Sequence, residues 1–231
     1  MPCSSVLPRR PAAAARPLPR PAVSNDGAPA AATAHFLALG DSYTIGEGVP
    51  EGLRWPAQLV TAMRARRIAI GEPQYIARTG WTTDELSAAI DEQQASGMLR
   101  HNYQLVSLQI GVNDQYRGRP PAEYTGRFNA LLARAIGFAG GQPEHVLVLS
   151  IPDWGSTPFA RSSGRDREHI AAELDQYNAI AHAACKRMHV AWVDITGVTR
   201  DPASAGLLAD DGLHPSGDMY ALWVGRVEAG K

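Results

Sequence analysis

From His35 onward the chain alternates short apolar runs with longer stretches in which apolar residues recur every three or four positions. The runs are Phe36-Leu37-Ala38-Leu39, a segment at 74–77, QLVSLQI at 104–110, HVLVLSI at 145–151 and VAWVD at 190–194. A short continuous apolar run reads as a strand buried on both faces, and a helical stripe between two such runs reads as the crossover of a βαβ unit. Trp55, Leu59 and Met63 stripe a helix over 54–67. Leu86 and Ile90 mark the next, opened by Thr82 and Glu85 at capping-box spacing. Tyr124, Phe128, Leu131 and Ala135 stripe a third helix, and Ile170, Leu174, Tyr177 and Ala181 a fourth. A last helix starts near Ser216. Five strands joined by right-handed crossovers predict an α/β fold, a three-layer sandwich around a five-stranded parallel sheet.

With 231 residues, 45% of them hydrophobic, and a net charge of -1, the chain can bury a full core and has no global attraction to nucleic acid. One domain is expected over 35–231. Residues 1–34 are dense in Pro, Ala and Arg and poor in large apolar side chains, which predicts a disordered extension. Its prolines interrupt any amphipathic targeting helix, and it has no apolar segment for export, so a cytoplasmic location is expected. No apolar run is long enough to cross a bilayer. Cys3 lies in the extension and Cys185 in a helical stripe, so a disulfide framework is not expected and Cys185 reads as core. No HExxH or CxxC spacing signals a metal.

In a parallel sheet the segments that follow the strands gather at one edge, where ligands bind. Here those segments carry unusual chemistry. The first strand leads into GDS, with Ser42; ARTG follows the second, with Gly80; the third runs into IGVND, with Asn113; and DDGLHPS, after the fifth, holds Asp211 and His214. Gly40 reads as a position whose backbone shape excludes a Cβ. Each residue also has an ordinary reading as a turn former, loop glycine or helix cap. Their common placement at one edge is what favours a site.

In these blocks the sequence resembles the SGNH hydrolases, also called GDSL-type esterases and lipases. GDSYTIGEG, ARTGWTTDEL, IGVND and DGLHP stand in that family's order, over about residues 36–225. The resemblance implies a flavodoxin-like sandwich and ester hydrolysis with neither metal nor organic cofactor. It assigns Ser42, Asp211 and His214 as the catalytic triad, and the N–H groups of Ser42 and Gly80 with the amide of Asn113 as the oxyanion hole. SIPDWGSTPFA, 150–160, also resembles a stretch in bacterial members, without an assigned role.

The chemistry agrees with that assignment. A serine hydroxyl needs an adjacent base, and an imidazole whose other nitrogen is held by a carboxylate is such a base. Asp210 rivals Asp211 on physical grounds; the family's DxxH spacing selects Asp211. Hydrogen-bond donors aimed at the developing oxyanion supply the largest single catalytic effect. Asp41 reads either as a shaper of the Ser42 turn or as a plain turn former, and Asp194 as an anchor for the segment after the fifth strand. Arg117 and Arg119 read as solvated loop residues, and the remaining histidines as structural. GxSxG is missing, so the α/β-hydrolase fold is not indicated.

The expected function is a serine esterase acting on a small ester, short-chain esters being the default. The resemblance also implies lysophospholipids, thioesters and acetylated sugars as alternative substrates, acyl transfer to an alcohol is an alternative on the same site, and the fold admits a different class, a non-enzymatic carrier of FMN or phosphate. No membrane insertion and no nucleic-acid partner are expected, and no sequence feature sets an oligomeric state.

Overall fold

The computed structural model describes residues 33–230. Of the extension expected over 1–34, residues 1–32 lie outside the described residues. The sandwich itself begins one residue earlier than the pattern suggests. Ala34 donates its N–H to the Ala69 carbonyl and accepts from Gly71, which extends the pairing beyond the first strand.

The five expected strands are β1 (Phe36–Gly40), β2 (Gln74–Ala77), β3 (Leu105–Gln109), β4 (Val146–Leu149) and β5 (Ala191–Val193). All pair in parallel, in the order β2-β1-β3-β4-β5. β1 lies inside the sheet, and each of its residues is buried. The chain first moves from β1 to β2 on one side and then returns to β3 on the other. The order therefore reverses between β1 and β3, and a crevice opens at their carboxyl ends.

The expected stripes are the buried faces of the long helices. α1 (Ser42–Ile45) is a single turn after β1, followed by α2 (Trp55–Ala65) and α3 (Thr83–Ala95). α4 (Val112–Tyr116) and α5 (Pro121–Phe138) follow β3, and α6 (Pro158–Ser162) and α7 (Arg167–Arg187) follow β4. α8 (Thr196–Arg200) and α9 (Gly217–Ala229) complete the chain. α2 packs on α9, while α5 packs on both α3 and α7, giving the two outer layers. Trp55 and Leu59 of α2, Phe128 and Leu131 of α5, and Ile170 and Leu174 of α7 are all buried. Burying a side chain of this size stabilises the fold by roughly 1.5–3 kcal/mol, which is how a stripe becomes a layer.

α2 stops two residues short of the expected 67 because Arg67 adopts a left-handed conformation, φ 65°, that no helix continues through. At the start of α3, the Glu85 carboxylate accepts from both the N–H and the hydroxyl of Thr82, as the capping spacing anticipates. Ser216 caps α9. Asp194 does anchor the segment after β5, since its carboxylate accepts from the Ser150 hydroxyl and the Thr196 N–H. Cys185 is buried in α7. Among the described residues no helix is long and apolar enough to cross a membrane.

Candidate active site

The first site residue follows β1 directly. Gly40 is the last residue of that strand, and its φ is not positive, so the expected reason for a glycine here needs correcting. The reason is space: a Cβ at Gly40 would stand 2.5 Å from the Gln109 carbonyl oxygen of β3 and would collide with the Thr44 side chain. Without it β1 and β3 close together, and Asp41 turns the chain into α1. The buried Asp41 carboxylate caps that turn, accepting the Tyr43 N–H at 3.0 Å. Burial pushes the Asp41 carboxyl up to about 7; the Tyr43 N–H pulls it down, and the nearby charge of Asp114 pushes it further up. Ser42 is thus the first residue of α1, where a backbone N–H precedes any intrahelical partner.

His214 reaches Ser42 across 172 positions of sequence: its Nε2 lies 2.9 Å from Ser42 Oγ. Its Nδ1 lies 2.6 Å from Asp211 Oδ2. An ionised carboxylate only accepts, so Nδ1 carries the hydrogen and Nε2 offers its lone pair to the serine hydroxyl. The other Asp211 oxygen accepts the N–H groups of Leu213 and His214, both at 2.9 Å. Burial works against this carboxylate, but the bonds from His214 and Leu213 prevail and hold its pKa below the ordinary value. Tyr43 backs the imidazole, with ring centroids 5.3 Å apart. Asp211, and not its neighbour Asp210, makes the contact with His214.

The remaining two residues come from neighbouring loops. Gly80 sits between β2 and α3 with φ 84°, in the left-handed region, and its N–H makes no hydrogen bond to the described residues. Asn113, in α4, donates one Nδ2 hydrogen to the Trp81 carbonyl at 2.9 Å and keeps a second. Ser42, Gly80, Asn113 and His214 all line one open cleft of about 190 Å³. Sequence reasoning thus named residues from four separate segments that the fold brings to a single crevice.

It missed the walls. Tyr116, Trp154, Phe159 and Leu213 line the same cleft. Tyr116 stands edge-on to Trp154 at 5.3 Å, and Phe159 packs against Trp154 at 6.1 Å. Trp154 is fixed by a bond from its Nε1 to Gln115 at 2.9 Å. The SIPDWGSTPFA stretch therefore supplies a wall, and its aromatic residues at 154 and 159 were the available signal.

The arginines also need correcting. Arg119 is not merely solvated: it donates to Asp84 at 2.7 Å and to the fully buried Asp114 at 3.1 Å. Arg117 donates to the Gly80 carbonyl at 2.7 Å and pairs with Glu85. Elsewhere, His182 stacks on Trp192 and His169 pairs with Glu173. Among the described residues no group of three or more His, Cys, Asp or Glu side chains is placed to hold a metal ion.

Comparison with known proteins bears on the sequence as a whole and on the fold. The sequence model of the GDSL-like Lipase/Acylhydrolase family matches residues 38–222. Among solved structures, the acetylxylan esterase Axe2 from Geobacillus stearothermophilus is 19% identical with a TM-score of 0.63, covering 85% of this chain and 93% of that one. The lipase/acylhydrolase from Enterococcus faecalis is 19% identical with a TM-score of 0.63, covering 84% and 93%. The psychrotrophic esterase EstA from Pseudoalteromonas, solved in a form inhibited by monoethylphosphonate, is 14% identical with a TM-score of 0.62, covering 85% and 96%. At these identities the likeness is one of fold. No curated protein matches the chain.

Proposed function

The chain belongs to the GDSL-like Lipase/Acylhydrolase family, and from that premise we propose that it is a serine esterase that cleaves small carboxylic esters through an acyl-enzyme intermediate. One observation carries this reading: the unbroken relay from Ser42 Oγ to His214 Nε2 at 2.9 Å and from Nδ1 to Asp211 at 2.6 Å.

Ser42 Oγ attacks the ester carbonyl carbon as its proton passes to Nε2. Asp211, kept ionised by its bonds to Leu213 and His214, holds the tautomer and stabilises the imidazolium. The carbonyl oxygen becomes an oxyanion, met by the N–H groups of Ser42 and Gly80 and the free hydrogen of Asn113. Donors of this kind contribute roughly 3–4 kcal/mol each to the transition state. The intermediate collapses, and the departing alcohol takes its proton from His214. A water then repeats the sequence in reverse and frees the acid. Acidification slows the reaction, because a protonated His214 cannot accept from the serine.

The size of the cleft supports small substrates. About 190 Å³ holds the volume of roughly six waters. Tyr116, Trp154 and Phe159 wall the cleft with aromatic surface, which suits an acetyl or other short acyl group. The test is direct. A fluorophosphonate should label wild type at Ser42, and Ser42→Ala should lose both labelling and p-nitrophenyl acetate cleavage while keeping its circular dichroism and melting temperature. Turnover retained by Ser42→Ala would overturn the assignment.

A further inference from the structure

The residue that presents the Gly80 N–H is a glycine at φ 84°, and nothing in its own sterics keeps it there. A glycine visits several backbone regions at similar cost, so its conformation has to be imposed from outside. Around Gly80 there is little to do so: a Cβ built on it would meet a single neighbouring atom within 4.0 Å, Nη2 of Arg117. That same Nη2 donates to the Gly80 carbonyl oxygen at 2.7 Å, the length of a charge-assisted bond. The other arm of the guanidinium pairs with Glu85 at 3.2 Å, and Glu85 in turn holds the N–H of Thr82. Arg117 directly follows α4, which carries Asn113, and Asn113 holds the Trp81 carbonyl. Carbonyls 80 and 81 are therefore both gripped from one short segment.

We propose that Arg117 is a positioning residue for the oxyanion hole, which fixes the peptide of Gly80 so that its N–H points at the reacting carbonyl; this rests on the esterase reading above. It touches no reacting atom. Both partners of the Arg117–Glu85 pair are about half exposed, and a surface pair of that kind contributes little to stability. The effect of removing it is accordingly expected in the rate rather than in the fold. Its planar fork serves two acceptors at once, which a lysine cannot reproduce.

Arg64 gives a matched control. It also bonds a loop carbonyl, that of Ile70 at 2.8 Å, and a carboxylate, Glu72 at 2.6 Å. It does so ahead of β2, at the opposite edge of the sheet. With p-nitrophenyl acetate, Arg117→Ala should lower kcat roughly ten- to a hundredfold with KM nearly unchanged, because a misplaced donor forfeits transition-state stabilisation alone. Arg117→Lys should fall between Arg117→Ala and wild type, and it carries the test should Arg117→Ala fail to fold. Arg64→Ala should match wild type in kcat. A kcat for Arg117→Ala within twofold of wild type, a loss confined to KM, or an equal loss in Arg64→Ala would overturn the proposal. Abolished turnover in Ser42→Ala beside an unaffected Arg117→Ala would sink this inference alone; turnover retained in Ser42→Ala would sink the esterase reading beneath it.

Discussion

The two loops that flank the crevice are held in place by opposite means. The turn from Gly40 to Ser42 is fixed by crowding: β1 lies so close to β3 that no Cβ fits at Gly40, and Asp41, Ser42, Tyr43 and Thr44 are all buried. The segment from Thr79 to Thr83 is fixed by polar pins. Glu47 accepts from the Thr79 hydroxyl, Arg117 holds the Gly80 carbonyl and Asn113 holds that of Trp81. Glu85 accepts from Thr82, and the buried Asp114 accepts both the N–H and the hydroxyl of Thr83, at 2.9 and 2.8 Å. Ser42, the proposed nucleophile, is placed by packing, which is short-ranged and unforgiving. Gly80 and Asn113, the proposed oxyanion donors, are placed by polar and charged side chains, which can be weakened one at a time.

Substitutions should separate the two modes. The largest effect is expected from Gly40→Ala. Overpacking against the Gln109 backbone should cost about 1–3 kcal/mol or more. The accompanying shift of Ser42 should cut kcat/KM about a hundredfold, since a displacement near 1 Å is enough for that. A melting curve and kinetics on the same sample check both, and a variant with wild-type values for both would show that crowding does not set this turn.

Asp114→Asn should do less to the turn and more to the pinned segment. An amide in place of the carboxylate turns an N–H toward groups that donate, which leaves part of the Thr83 and Arg119 bonding unmade, at about 1–3 kcal/mol. The expected signature is a lower melting temperature and a lower kcat, with fluorophosphonate still reaching Ser42.

A third comparison concerns pH. The Asp41 carboxyl titrates near 7 in the fold because of burial, against an ordinary value of 3.8. Between those values the folded chain holds a proton that the unfolded chain releases, so this group's stabilisation is complete below about pH 4 and is lost as pH rises through 7. Asp41→Asn keeps a capping oxygen without the titration. Denaturant unfolding across this window should show wild type losing stability relative to Asp41→Asn as pH rises; parallel curves would break the link between burial and the turn.

The same contrast explains what could be read from the chain. The strands were legible because burial on both faces leaves continuous apolar runs, and the long helices because a buried face repeats every three to four residues. Ser42, Asp211 and His214 were legible because each stands in a local motif, and Asp211 and His214 are near enough in sequence to bond within one loop. The pins were not. Arg117, Arg119 and Asp114 look like any charged loop residues until α4 is set against the start of α3, and their partners are more than thirty residues away in sequence. The cleft walls were hidden for the same reason: Trp154 and Phe159 stand in a stretch with no assigned role until β4 delivers them beside Tyr116. Gly40 was noticed for the wrong reason, because conformational freedom can be guessed from a residue type whereas a neighbour's backbone cannot.

Ser42 and His214 lie 172 positions apart, with four of the five strands formed between them. While the chain is being synthesised, the serine emerges early and the imidazole very late, and synthesis at roughly 5–20 residues per second separates the two by many seconds. On the esterase reading, a nascent chain would lack a base beside Ser42 until the loop of His214 docks, so activity would follow closure of the sheet.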